Sequence, residues 1–406
     1  MQVEISASQA VGRAVAPPSK SYAHRMLICA GLSEGESIIK NIELSQDILA
    51  TLDCLKVLGA DYECVGDTVT ITGIKPQNFC SYALLPCREC GTTMRFFIML
   101  CLAGEKTFSL TGSPRLLQRP MDVYEKICKE RGLLFSNNGS VITVKGPLTP
   151  GQYEVAGDVS SQFISGLMFS LPFMKGDSRI VITGKTESSS YIDMTLEALR
   201  QFGITIERND NLIFIKGKQE YVSGEKVVEG DFSNAAFLEA LNLFGHKVKV
   251  SGLNYDSIQG DKVYRDYYLQ LKESMPTLSL ADCPDLGPVL FVCAAGLNGA
   301  VFTDTKRLRI KESDRVAAMA EELKKFGVDL IIEENRVVVP KTSLHAPNEI
   351  LSGHNDHRIV MALSILCTVY GGIIDGANAI NKSWPDYFKV LKKLGIEVRE
   401  KDADNK

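Results

Sequence analysis

Five times along the chain the apolar positions change period in the same way. In LKVLGADYECVGDTVTITG (55–73), CKERGLLFSNNGSVITVKG (128–146), LRQFGITIERNDNLIFIKG (199–217), LKKFGVDLIIEENRVVVPK (323–341) and LKKLGIEVRE (391–400), helical spacing stops at a glycine. A short strand then begins, followed in the four longer copies by a polar turn and an alternating strand. A glycine at the end of a helix supplies the left-handed C-cap. Turns such as Asn-Asp and Asn-Gly close hairpins, and alternation marks a half-buried strand. The glycines at 59, 132, 203, 327 and 395 lie about 70 residues apart except for one interval of nearly twice that, which predicts a degenerate copy near Tyr267–Met275. Six units, three in each half, follow. The period is too long for an ordinary solenoid repeat. It suits an α/β protein of two similar domains, each of three helix-plus-strand units; chance recurrence of helix–glycine–hairpin units is the alternative.

Composition adds little to that picture except by exclusion. A chain of 406 residues, 45% hydrophobic and 23% charged, has the make-up of an ordinary globular protein and the length for two domains. No apolar run approaches the ~20 residues of a membrane span, and MQVEISASQA lacks the basic start and apolar stretch of a signal peptide. A cytoplasmic protein is expected. The eleven cysteines are scattered and mostly set in apolar runs, as at Cys29, Cys101, Cys293 and Cys367, so they read as buried thiols rather than a disulfide framework. Cys87 and Cys90 form a lone CxxC, a weak zinc or redox signal. A net charge of −4 advertises no basic face, so neither nucleic acid nor membrane is an expected partner. An anionic ligand would need a local concentration of Lys and Arg.

Six segments have that character. In PPSKSYAHRMLI (17–28), Ser19 and Ser21 are candidate N-caps, and Lys20 and Arg25 add charge to a helix start. In CRECGTTMRFFIML (87–100), Gly91 can let the backbone approach a ligand, Thr92 and Thr93 can cap, and Arg95 reads as a paired structural arginine. Arg119, before Pro120, is held extended at a helix start. Ser160, Ser161 and Gln162 head another apolar helix, and Ser188 and Tyr191 repeat the theme. In RLRIKESDRVAAMAEEL (307–323), Lys311, Glu312 and Arg315 can share a helical face. In GHNDHRIVMALSIL (353–366), His354-x-x-His357 is a weak metal signal, and Asn355-Asp356 capping a helix that carries Arg358 is more natural. Lys382 stands ahead of a last helix. Singly, each segment has a bland reading as a capped or ion-paired surface.

Taken in order, PPSKSYAHR, GTTMR, SPRLLQRPM, DVSSQF, DCPDLGP, RLRIKESDR, NDHR and NKSWPDYF resemble the 5-enolpyruvylshikimate-3-phosphate synthase family of enolpyruvyl transferases. The related transferases acting on UDP-N-acetylglucosamine start with a Gly-Ala-Lys-Asn-Ala type of motif and usually carry a reactive Cys on a loop. This chain has Pro18-Ser19-Lys20-Ser21 and no Cys around GSPRLLQRP. A non-enzymatic anion binder on the same fold is the remaining alternative.

The resemblance implies two similar domains, each of three βαβαββ units around a pseudo-threefold axis. One spans 18–229; the other combines 1–17 with 230–406. It implies transfer of the enolpyruvyl group of phosphoenolpyruvate to the 5-hydroxyl of shikimate 3-phosphate by a monomer, with no metal or organic cofactor. The hydroxyl adds to C2 while a proton reaches C3, and the tetrahedral adduct then loses phosphate and a proton. Ser21, Arg25, Ser160, Ser161, Ser188, Tyr191 and Lys311 would hold shikimate 3-phosphate. Gly91, Arg119, Arg315, Arg358 and Lys382 would hold phosphoenolpyruvate, with Lys20 and Gln162 reaching both. Asp285 would accept the hydroxyl proton, Glu312 would protonate the methylene carbon, and Lys20 would assist. The chain departs from the family at Arg88-Glu89-Cys90, usually Gly-Asn-Ser/Ala, and at Arg307, often Asn. A carboxylate at Glu89 is expected to have a cation partner among Arg88, Arg119, Arg358 and Lys382.

Overall fold

A computed structural model describes residues 1–401, and in it each of the five repeated glycines follows a helix with positive φ, from 66° at Gly132 to 113° at Gly59. At Gly59 the N–H bonds back to Leu55 and Lys56, closing the helix Gln46–Leu58 as a left-handed cap does. Four of the glycines lead into hairpins: Asp61–Val65 with Thr68–Thr72, Leu134–Asn137 with Val141–Lys145, Ile206–Asn209 with Leu212–Ile215, and Ile331–Ile332 with Arg336–Val339.

The chain divides into two units. One is Pro18–Glu229; the other joins Met1–Pro17 to the chain from Gly230 onward. The first contains three four-stranded sheets of one design. In each, two parallel strands lie side by side and one of them pairs antiparallel with the outer hairpin, as in Gln152–Ala156, Ser178–Thr183, Leu212–Ile215 and Ile206–Asn209. A helix joins the parallel strands in two of the sheets; in the third, Glu225–Val227 at the end of the unit pairs with Glu36–Lys40 near its start. The helices Lys20–Leu32, Gly91–Leu102 and Ser161–Ser170 are apolar nearly all round, and helices of that kind are buried. From Phe96 to Leu102 no side chain reaches the surface. The helices that precede the repeated glycines are amphipathic, as in Asp122–Glu130.

The second unit contains two such four-stranded sheets and one of two strands. In the sheet of Leu351–Ser352, Gly372–Asp375 and Val398–Lys401, the remaining strand is Gln2–Ile5, which pairs on both sides. The degenerate copy is the two-stranded case. The expected helix is present as Tyr264–Glu273, but it ends at an extended Ser274 rather than a glycine, and the chain enters the strand Thr277–Ser279 without a hairpin. That leaves Val11–Val15 and Lys247–Ser251 as a parallel pair. Among the described residues no helix is long and apolar enough to cross a membrane.

Candidate active site

In the Pro18–Glu229 unit, Ser19 caps the helix Lys20–Leu32 by accepting from Tyr22 N at 3.4 Å, while Ser21 lies inside the helix and is not a cap. Lys20 donates to Asp47 at 2.8 Å. Arg25 is buried one turn on. Its Nε donates to Thr195 Oγ1 at 2.8 Å, Nη1 to the Ser21 carbonyl at 2.6 Å and Nη2 to the Tyr191 carbonyl at 3.0 Å. The guanidinium lies over the rings of Phe96 and Tyr191. Burial lowers Arg25 to about 10; the groups that oppose this are Tyr191, Tyr22 and Cys29, none of them a carboxylate. The guanidinium stays charged at neutral pH and would be stabilised by an anion. Ser160 caps the helix Ser161–Ser170 by accepting from Gln162 N, and Ser188 is a buried left-handed residue before the helix Ser189–Gln201.

Arg95 is paired, as its pattern suggested. It donates to Gln162 Oε1 at 2.7 Å and to the Pro120 carbonyl at 3.1 Å, with its guanidinium over Phe163. Gln162 Nε2 donates to Thr92 Oγ1 at 2.8 Å, so both ends of the amide are set. Gly91 lies against Arg119. A Cβ there would meet the Arg119 guanidinium, with Cζ only 2.8 Å away. Thr92 and Thr93 do not cap; Cys90 does, accepting from Thr93 N through Sγ at 3.4 Å. Arg88 donates to Asp53 at 2.6 Å, and Glu89 is partly exposed.

A buried polar network under Lys20 escaped the sequence reading. His24 Nδ1 bonds Thr51 at 2.8 Å, Thr51 bonds Thr93 at 2.7 Å, and Cys90 Sγ lies 3.7 Å from His24 Nε2. Burial, with Lys20 and Arg25 nearby, holds His24 well below the ordinary histidine range, so it is neutral. Asp47 carried the one available signal, an acid in the first turn of a helix capped by Ser45.

The second unit gathers its charges on Asp285, in the turn before the helix Gly287–Gly296. Arg315 Nη1 donates to it at 2.9 Å, Arg358 Nη2 at 3.1 Å and Lys311 Nζ at 3.4 Å. Arg315 also donates to Glu312 at 2.9 Å and, through Nε, to the buried Asp356 at 2.8 Å. Asp356 caps the helix His357–Tyr370, and Arg358 reaches Ser233 at 3.0 Å. Lys382 donates to the Asn355 carbonyl at 2.6 Å. Lys311 and Glu312 do not share a helical face with Arg315. They lie in a bend, because Asp314 caps the helix Arg315–Lys324. Burial would raise the Asp285 carboxyl, yet Arg358, Lys311 and Arg315 hold it well below the usual carboxylate range. Burial brings Lys311 down to about 8; Asp285 opposes this, and Arg315 and Arg307 add to it.

Two donor sets among the described residues are close enough for a metal ion: His24, Asp47 and Cys90, and Glu321, Glu322 and His354. In each an ammonium already bonds a carboxylate, Lys20 on Asp47 and Lys325 on Glu322, and would oppose a second cation. His354 thus faces glutamates, not His357.

The fold matches that of enolpyruvyl transferases. The EPSP synthase of Acinetobacter baumannii superposes with a TM-score of 0.80 at 22% identity, covering 98% of this chain and 100% of that one. The enolpyruvyl transferase NikO of Streptomyces tendae gives 0.82 at 12%, covering 99% of each. The family model for EPSP synthase (3-phosphoshikimate 1-carboxyvinyltransferase) matches residues 6–391, and the chain belongs to that family. The 3-phosphoshikimate 1-carboxyvinyltransferases of Clostridium novyi and Clostridium acetobutylicum are each 40% identical to it, covering 98% and 95% of both chains respectively. It is an enzyme of this type, transferring the enolpyruvyl group of phosphoenolpyruvate to shikimate 3-phosphate, and the reading with UDP-N-acetylglucosamine as acceptor is set aside.

Proposed function

We propose that the two charge clusters divide this reaction between them. In the Pro18–Glu229 unit, Ser21, Arg25, Ser160, Ser161, Ser188 and Tyr191 bind shikimate 3-phosphate, with its phosphate directed at the Arg25 region. Lys20 and Gln162 serve both substrates, and Gly91 and Arg119, which lie against each other, serve phosphoenolpyruvate. In the other unit Arg315, Arg358 and Lys382 bind phosphoenolpyruvate, and Lys311 contacts shikimate 3-phosphate. Asp285 is the base and Glu312 the acid.

The observation that carries the reading is the state of Asp285. A carboxylate gripped by three cations is a weak base. Phosphoenolpyruvate brings a phosphate and a carboxylate that compete for Arg315 and Arg358. As those cations turn to the substrate, Asp285 loses stabilisation of its charged form and becomes the better proton acceptor. Base strength thus rises when substrate is bound, and the released cations stabilise charge that develops on the departing phosphate. Glu312, tied to Arg315, is positioned by the same arginine.

Asp285→Asn keeps the shape and removes the base. It should lower kcat by about 100-fold or more while shikimate 3-phosphate affinity changes little. Phosphate release from the two substrates is the assay; turnover like that of the unmodified enzyme would overturn the assignment. A monomer in the cytoplasm is the proposed setting. The eleven free thiols support a reducing compartment, and size-exclusion chromatography with light scattering tests the monomer.

A further inference from the structure

Two consecutive non-glycine residues, His354 and Asn355, occupy the left-handed backbone region, with φ of 46° and 52°. The conformation is uncommon for residues with a Cβ, less so for histidine and asparagine, and two in succession are held by surrounding contacts. The turn leads directly into Asp356 and Arg358, and its Asn355 carbonyl is the one that receives Lys382.

The contacts that impose it come from the helix Arg315–Lys324. Glu322 is fully buried there. Its Oε2 accepts from Ser352 N at 2.9 Å, and its Oε1 bonds His354 Nε2 at 3.0 Å. Lys325 Nζ bonds both carboxylate oxygens at 3.0 Å and also the Ile350 carbonyl at 3.0 Å. Two turns earlier on the same helix, Arg315 holds Asp356 at the other end of the segment. A buried carboxylate is costly unless it is paired and hydrogen-bonded. Here the bonds that compensate it are the ones that anchor the start of the strained turn.

We infer that Glu322 and His354 are positioning residues for Lys382. The Glu322–His354 bond sets the turn that presents the Asn355 carbonyl to that lysine. Neither residue touches the substrate in this scheme. The inference rests on the reading of Lys382 as a phosphoenolpyruvate ligand, and the experiment separates the two.

Steady-state constants for both substrates would be measured on the full chain for His354→Ala, His354→Gln, Glu322→Gln, Lys382→Ala and the double variant His354→Ala/Lys382→Ala. Losing a hydrogen bond to a charged group should let His354→Ala raise KM for phosphoenolpyruvate about tenfold, with KM for shikimate 3-phosphate within about twofold. His354→Gln retains a donor for Glu322 and should recover most of the loss. Glu322→Gln should follow His354→Ala; if it fails to fold, the partly exposed His354 decides the matter. In the Lys382→Ala background, His354→Ala should add less than about twofold, because it acts through the lysine. If Lys382→Ala leaves KM for phosphoenolpyruvate unchanged, the ligand reading fails and the positioning inference falls with it. If Lys382→Ala raises it while His354→Ala does not, or if the two effects multiply, the positioning inference alone is overturned.

Discussion

Single side chains here are defined by what they exclude as much as by what they bond. Gly91 has ordinary negative-φ helical backbone, so alanine is acceptable to the chain itself, and the obstacle to a Cβ is the flexible end of Arg119. Gly91→Ala should therefore spare stability, within about 0.5 kcal/mol, and displace the guanidinium. A rise in KM for phosphoenolpyruvate of about tenfold, equivalent to ~1.4 kcal/mol, is expected with little change for shikimate 3-phosphate. Unfolding curves and KM values on one preparation check both halves. Lys311 gives a pH signature. Its folded pKa is lowered from 10.5 to about 8. The unfolded chain thus binds more protons than the folded one between those values, so this group adds stability as pH rises through that window. Below about pH 8 its buried charge is a cost. Activity should run the other way, because the loss of the Lys311 charge removes a cation from the cluster. The expected profile is kcat/KM falling above about pH 8 and flattened on that limb by Lys311→Arg, while urea unfolding shows Lys311→Met losing the stability gain on going from about pH 7 to about pH 10. A limb unchanged in Lys311→Arg would exclude Lys311 as its source.

Helix starts carry much of the candidate site, and one of them can be dissected. Asp356 bonds Arg358 N as a cap and Arg315 Nε as a buried ion pair. Asp356→Asn keeps a capping oxygen and loses the charge, so it should destabilise by about 1.5–3 kcal/mol, the value of a hydrogen bond to a charged group, because Arg315 keeps Asp285 and Glu312. Asp356→Ala should cost about 1 kcal/mol more, the value of the cap. Equal losses in urea denaturation would mean the cap contributes nothing. Caps also explain what was legible in the chain. Ser19, Ser160 and Asp356 are residues of the usual capping types and could be read locally. Asp314 could have been read as well, and would have moved Lys311 and Glu312 off the helix. Cys90 could not, because a thiol is not a customary cap. The same limit hid the pairs Lys20–Asp47, Arg315–Asp356 and Arg358–Ser233, which join residues 27, 41 and 125 positions apart. No period or local motif encodes such separations. The hairpins were visible because their pattern is local, and the degenerate copy, which lacks one, showed only as an interval of double length.

At the scale of the molecule, the chain's start belongs with its end. Gln2–Ile5 is an inner strand, bonded to Gly372–Asp375 on one side and Val398–Lys401 on the other, and Val3 and Ile5 are fully buried. Val11–Val15 pairs in parallel with Lys247–Ser251. None of these strands lies in Pro18–Glu229, whose three sheets are complete within that segment. Removing residues 1–6 should consequently act on one unit only. It would leave two strands without their shared neighbour and open the core beneath Val3 and Ile5. Burying a side chain of that size is worth about 1.5–3 kcal/mol, so two of them, with the ladder bonds, are a large part of the ~5–15 kcal/mol that holds a typical domain folded. Hydrogen exchange on the truncated chain should show lost protection in the strands Gly372–Asp375 and Val398–Lys401 and in the helix His357–Tyr370, while the helices Gly91–Leu102 and Ser161–Ser170 keep theirs. Turnover should be lost with the Asp285, Arg315 and Arg358 cluster, and the Arg25 region should still bind shikimate 3-phosphate. Equal loss of protection in both units would show that they fold as one cooperative body, and unchanged protection around Gly372–Asp375 would show that the inner strand is dispensable.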